Sequence, residues 1–138
     1  MDLALFATLF GIIVYRHSEP EQLTLLKARY RTLRENLGSD PRWKALARPS
    51  IITGQLRPIG PIGSNVNKGS EIHICLKDDD VNSAMHVLIH ELAHTTVTEY
   101  DHSSTFWKNF KDLKALAASV GVYQIVGTHT YCGETIED

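Results

Sequence analysis

His90-Glu91-Leu92-Ala93-His94, which follows the run Met85-His86-Val87-Leu88-Ile89, is the stretch on which the reading of this chain turns. The segment from Asn82 to Thr98 is predicted to be helical. Residues four apart lie about one turn apart, roughly 6 Å along the axis and on the same face. Two imidazoles at that spacing can grip one metal ion. Glu91 adjoins the first of them, where a carboxylate can reach a water held by such an ion. Two ligands and a general base within five residues are what metal-assisted peptide hydrolysis requires.

The surroundings of the stretch strengthen that reading over a solvated histidine pair. Val87, Leu88, Ile89, Leu92 and Ala93 make the helix apolar on its other faces, as in a core helix. Histidine and glutamate are costly on a core helix unless paired or metal-bound. A catalytic zinc site has three protein ligands and an open fourth position. Three residues compete for the third place. His102 lies just past the helix, where the chain can turn back, and is preferred. Glu99 follows in preference, although the fraying helix end can still hold it. His86 comes last, because three ligands at i, i+4 and i+8 stretch over about 12 Å of axis. Glu91 is the expected base. An oxyanion-stabilising group is sought among Tyr100, Tyr123, Tyr131 and His129.

Composition suits one domain. The chain has 138 residues, 43% hydrophobic and 22% charged, with a net charge of −2, so the whole is not a nucleic-acid polycation. The charge is uneven. Lys27, Arg29, Arg31, Arg34, Arg42, Lys44 and Arg48 stand against Glu35 and Asp40, a local excess of five positive charges. A solvated helix face is the favoured reading of Lys27–Arg48, and contact with DNA the other. Cys75 and Cys132 do not make a disulfide framework, and a single bridge between them is left open. Their scarcity fits a reducing compartment, and Cys75 reads as a small core residue.

Residues 3–15 (LALFATLFGIIVY) are apolar on every side. Thirteen residues give about 20 Å of helix against roughly 30 Å of hydrocarbon. With Arg16 snorkelling, the segment is a candidate membrane anchor, slightly favoured over a buried helix. The positive residues after it would place the domain on the cytosolic side. Otherwise the chain would be cytoplasmic or nuclear.

The expected elements follow from patterning. Pro20-Glu21 opens a helix whose stripe is Leu23, Leu26, Tyr30, Leu33 and Leu37, and Gly38 stops it. Asp40-Pro41 caps a short second helix. Ser50–Thr53 and Glu71–Lys77 read as strands, with glycine- and proline-rich loop or hairpin between them. Glu71–Lys77 is a candidate for pairing with an extended substrate. His73 reads as an exposed strand residue. Asp78-Asp79-Asp80 complements the start of the motif helix. Ser103 or Ser104 caps a last helix with the stripe Phe106, Phe110, Leu113 and Ala117, and the tail from Tyr123 shows no period.

At His90-Glu-Leu-Ala-His94, His102 and Phe106-Trp107 the chain resembles the WLM metallopeptidases, relatives of the SprT-like proteases. The resemblance covers roughly Glu71 to Gly121. It implies zinc ligands His90, His94 and His102, with Glu91 as general base. It also implies an α+β, minimal zincin-like domain: a small antiparallel sheet on the motif helix, with additional helices at both ends. Proteolysis of DNA-crosslinked proteins is associated with this group. The chain departs from it in the seven residues, Thr95 to Asp101, between His94 and His102, a longer gap that lacks the glycine-proline often found there.

The domain expectation is therefore a hydrophobic segment, 1–17, followed by one metallopeptidase domain, 18–138. The expected function is zinc-dependent hydrolysis of a protein or peptide substrate, with DNA-associated proteins as one substrate class. The competing expectation is an inactive metal-binding or interaction module of the same fold, tethered or not to a membrane.

Overall fold

The structure is a computed structural model that describes residues 19–56 and 60–138. Helix α1 (Glu21–Glu35) is followed by a 3-10 helix (Pro41–Leu46). Strands β1 (Ile51–Gln55), β2 (Gly63–Val66) and β3 (Glu71–Cys75) lead into α2 (Val81–Thr95) and α3 (Ser104–Ser119). Strands β4 (Thr128–Tyr131) and β5 (Glu134–Glu137) close the order. This is a small α+β domain.

Helix α2 is the centre of the core. Ala84, Met85, Leu88 and Ile89 are fully buried on it, and Leu92 nearly so. It packs against α1, α3, β2 and β3. From α1 come Leu23, Leu26, Tyr30 and Leu33, as the stripe predicts, and from α3 Phe106, Phe110, Leu113 and Ala117. Asp80 caps α2 by accepting from Ser83 N at 3.0 Å, and Ser103 caps α3 by accepting from Phe106 N at 3.1 Å. These side chains satisfy orphan amides of the first turn. Asp40 likewise accepts from Arg42 N at the start of the 3-10 helix.

The expected antiparallel sheet is instead mixed, in the order β1-β3-β2. β2 and β3 form an antiparallel hairpin, with Asn65 opposite Ile72. β1 lies on the other side of β3 and runs parallel to it, with Ile52 opposite Ile72. A tight turn can join only antiparallel neighbours, and it joins β2 to β3. The longer connection after β1 leaves that strand free to take the far edge. β3 therefore has partners on both sides and no free edge for a substrate; the edge strand of this sheet beside α2 is β2.

The patternless tail is in fact a hairpin. β4 and β5 pair with Tyr131 opposite Glu134, across Cys132 and Gly133 at φ 50° and 82°. Two left-handed turn residues match the strand twist. Cys132 is disulfide-bonded to Cys75. Cys75 is buried in the core, as expected, and the bridge is what the chain's spacing could not reveal, because it needs the tail folded back onto the end of β3. Tyr131 donates to the Cys75 carbonyl, and Cys132 N donates to Asp78 Oδ2 at 2.7 Å.

The apolar segment 3–15 lies outside the described residues. Among the described residues no helix is long and apolar enough to cross a membrane.

Candidate metal centre

One turn of α2 separates His90 from His94, and the loop after α2 returns His102 to the same place. One ring nitrogen from each lies within 4.8 Å of the others. The Nε2 atoms of His94 and His102 are 3.1 Å apart. Two nitrogens sharing a tetrahedral zinc ion at about 2.05 Å would be roughly 3.3 Å apart, so this edge fits such an ion closely. Three imidazoles are also the donor set that zinc accepts.

Phe106, at the start of α3, sits under all three rings, with centroids 5.0, 4.4 and 4.8 Å from His90, His94 and His102. Phe110 and Trp107 add further contacts to His90 and His102 respectively. The Phe-Trp pair therefore shapes the apolar bed on which the histidines rest. Burial and then the neighbouring His94 and His102 push the His90 pKa down to about 3. His94 is lowered by burial first, then by His102 and Lys68. Both effects favour neutral rings with a lone pair to offer a metal.

Glu91 is 7% exposed. Burial raises its carboxyl to about 7, with no hydrogen bond or cation among the described residues offsetting it. Gly63 of β2 explains how the sheet comes so close. A Cβ there would stand 2.5 Å from Val87 Cγ1 and 3.4 Å from Glu91 Oε1.

A cleft of about 500 Å³ opens over these groups. Pro61, Ile62 and Gly63 line it on the β2 side. His86, Val87, His90, Glu91 and His94 come from α2, and His102, Trp107 and Phe110 from the α3 side. Glu134 to Glu137 are contributed by the β4–β5 hairpin. The hairpin is the part of the cleft that sequence reasoning missed. The signal was available in the threonine-rich, β-branched residues flanking Cys132-Gly133.

The other candidates are engaged elsewhere. Glu99 accepts from Ser103 Oγ at 2.7 Å and Thr98 Oγ1 at 3.2 Å, and the Ser103 bond chiefly lowers its pKa. His86 is buried with Nδ1 2.9 Å from Tyr123 Oη, and burial holds its pKa down at about 4. Tyr123 donates to Asp138 at 2.7 Å, Tyr131 is buried, and His129 pairs with Asp80 at 3.1 Å. Tyr100 is exposed and lines a smaller pocket shared with Glu91 and His94, whereas the exposed His129 is held by Asp80. His73 is half-buried rather than exposed, with Nδ1 2.6 Å from Thr53 Oγ1.

In the basic segment, Lys27 pairs with Glu19, Arg42 with Asp40 and Asp112, and Arg29 donates to the Val122 carbonyl. Arg31, Lys44 and Arg48 are exposed.

Comparison with known proteins agrees with this picture. Residues 54–136 match the WLM domain. An uncharacterised protein of Acanthamoeba polyphaga mimivirus is 34% identical over 83 residues, covering 53% of this chain and 42% of that protein. One from Invertebrate iridescent virus 6 is 36% identical over 72 residues, covering 46% and 40%. The chain thus spans less than half the length of these relatives. No solved structure matches. A match over more than half of the sequence, enclosing all three histidines and Glu91, makes this chain a member of the WLM domain family.

Proposed function

We propose that the chain is a zinc metallopeptidase of zincin type, with His90, His94 and His102 as ligands and Glu91 as general base. The observation that carries the proposal is the meeting of three imidazoles beside a buried carboxylate on one cleft. A structural zinc site would recruit a fourth protein ligand and would have no use for Glu91. Zinc, when bound, supplies Lewis acidity toward the attacking water and the scissile carbonyl.

The chain's own residues do the rest. The Glu91 carboxylate accepts the proton of the attacking water and returns it to the departing amine. Burial favours the protonated carboxyl and so helps Glu91 hold that proton until the amine departs. Phe106, Phe110 and Trp107 keep the floor apolar, which strengthens the electrostatic contacts made there. β2 offers its outer edge to an extended substrate backbone. Tyr100, which lines a pocket with Glu91 and His94, is the residue assigned to donate to the carbonyl oxygen. Arg31, Lys44 and Arg48 support DNA-associated proteins as the substrate class.

The test is Glu91→Gln, assayed for zinc content and for cleavage of unfolded protein, with and without DNA. Retained zinc with lost hydrolysis is expected. Full activity in the variant would sink the assignment, and cleavage indifferent to DNA would remove the DNA-associated class.

A further inference from the structure

His102 is exposed and sits on an irregular loop, yet its Nε2 stands 3.1 Å from that of His94. Something must hold that loop. Lys68, in the β2–β3 turn, reaches across to it. Its ammonium donates to the carbonyl of His94 at 3.1 Å and to that of Glu99 at 2.6 Å. The same nitrogen lies 4.1 Å from the ring centroid of Tyr100. One cation thus gathers the last carbonyls of α2, where positive charge is favoured, together with the middle of the loop and its aromatic tip.

The backbone adds an independent observation. Asn67 and Lys68 both have left-handed φ, 50° and 51°. That conformation is unfavourable for lysine and persists where surrounding contacts enforce it. The same hairpin holds the motif helix a second time, through Asn65 Nδ2 to the Glu91 carbonyl at 2.9 Å.

We infer that Lys68 is a positioning residue of the metal centre, tying the His94 carbonyl to the Glu99 carbonyl and so setting where the loop delivers His102. The inference rests on the metal-site reading above. It also accounts for the long gap between His94 and His102, which this chain spans with a lateral strut from the sheet.

Cobalt(II) alone is the probe, titrated into the full chain and followed by its visible absorption. Lys68→Met is expected to weaken cobalt binding by about 10–100-fold, the range seen when groups supporting metal ligands are lost. Its spectrum should move toward that of His102→Ala. Lys68→Gly relieves the left-handed backbone but lacks the strut, so it should fold and show the same loss. Lys68→Arg keeps a donor and should recover most of the affinity. Tight cobalt binding by wild type, with unchanged affinity and spectrum in both Lys68→Met and Lys68→Gly, would overturn the inference alone. Failure of the wild type to bind cobalt would overturn the metal centre itself and this inference with it.

Discussion

His94 and His102 bring their Nε2 atoms to 3.1 Å of each other although seven residues separate them. Closure of that loop, more than the helix spacing, completes the three-nitrogen cluster. His102→Ala should therefore weaken zinc binding by more than about 100-fold, beyond the loss caused by supporting groups. Glu99→Gln and His86→Ala, whose side chains bond elsewhere, should each lose less. Competition titration with a chromophoric chelator measures the order. Equal losses in His86→Ala and His102→Ala would refute the ligand set.

Gly63→Ala places a methyl group 2.5 Å from Val87 Cγ1 and 3.4 Å from Glu91 Oε1. Val87 sits on the packed central helix and has little room to yield. The variant should lose about 1–3 kcal/mol of stability, the usual cost of overpacking. Its kcat should fall through displacement of Glu91 or β2, while zinc content holds. Urea unfolding together with turnover on a denatured substrate tests both halves.

The Cys75–Cys132 bridge closes a loop with a sequence separation of 57. Chain-entropy reasoning assigns such a closure about 4 kcal/mol. The Cys75→Ser, Cys132→Ser double variant should lose stability on that order in chemical denaturation. Tyr131 and Asp78 still tie the hairpin to the end of β3, so the variant should keep its zinc.

His86 should make the domain acid-sensitive. Its folded pKa is lowered from 6.5 to about 4, by burial first and then by Lys114, against the opposing pull of Asp138. Tyr123, Lys114 and Asp138 surround it. The unfolded chain takes up this proton below about 6.5, whereas the folded one resists until about 4. Stability is therefore intact above 6.5, declines across that window and levels off below it, by up to about 3 kcal/mol. Asp138, also lowered, adds a loss in the same direction at still lower pH. Thermal melts from pH 7 to 4 should show the decline, and His86→Gln should flatten it.

Local patterns carried much of this architecture. The leucine stripe of α1, the buried faces of α2 and α3, and the caps at Asp80 and Ser103 all follow from residues a few positions apart. His102 was also legible, because a chain leaving the helix at Thr95 can return within seven residues. What depends on distant partners was not. The parallel placement of β1 arises from a connection that bypasses β3, and local periodicity carries no trace of that. The Cys75–Cys132 bond needs the tail folded back first. Nothing local marks Lys68, because its partners lie 26 and 31 residues further on.

The cleft is bounded by a strand that precedes the motif helix and a hairpin that follows the last one. On the proposed peptidase reading, a trough with two β-walls would take a single extended chain more readily than a folded globule. Peptide bonds inside compact domains would stay out of reach until their own segment opened. The turnover of any one protein would then depend on how often that protein locally unfolds. Discrimination between damaged and intact targets would follow without recognition of any side chain.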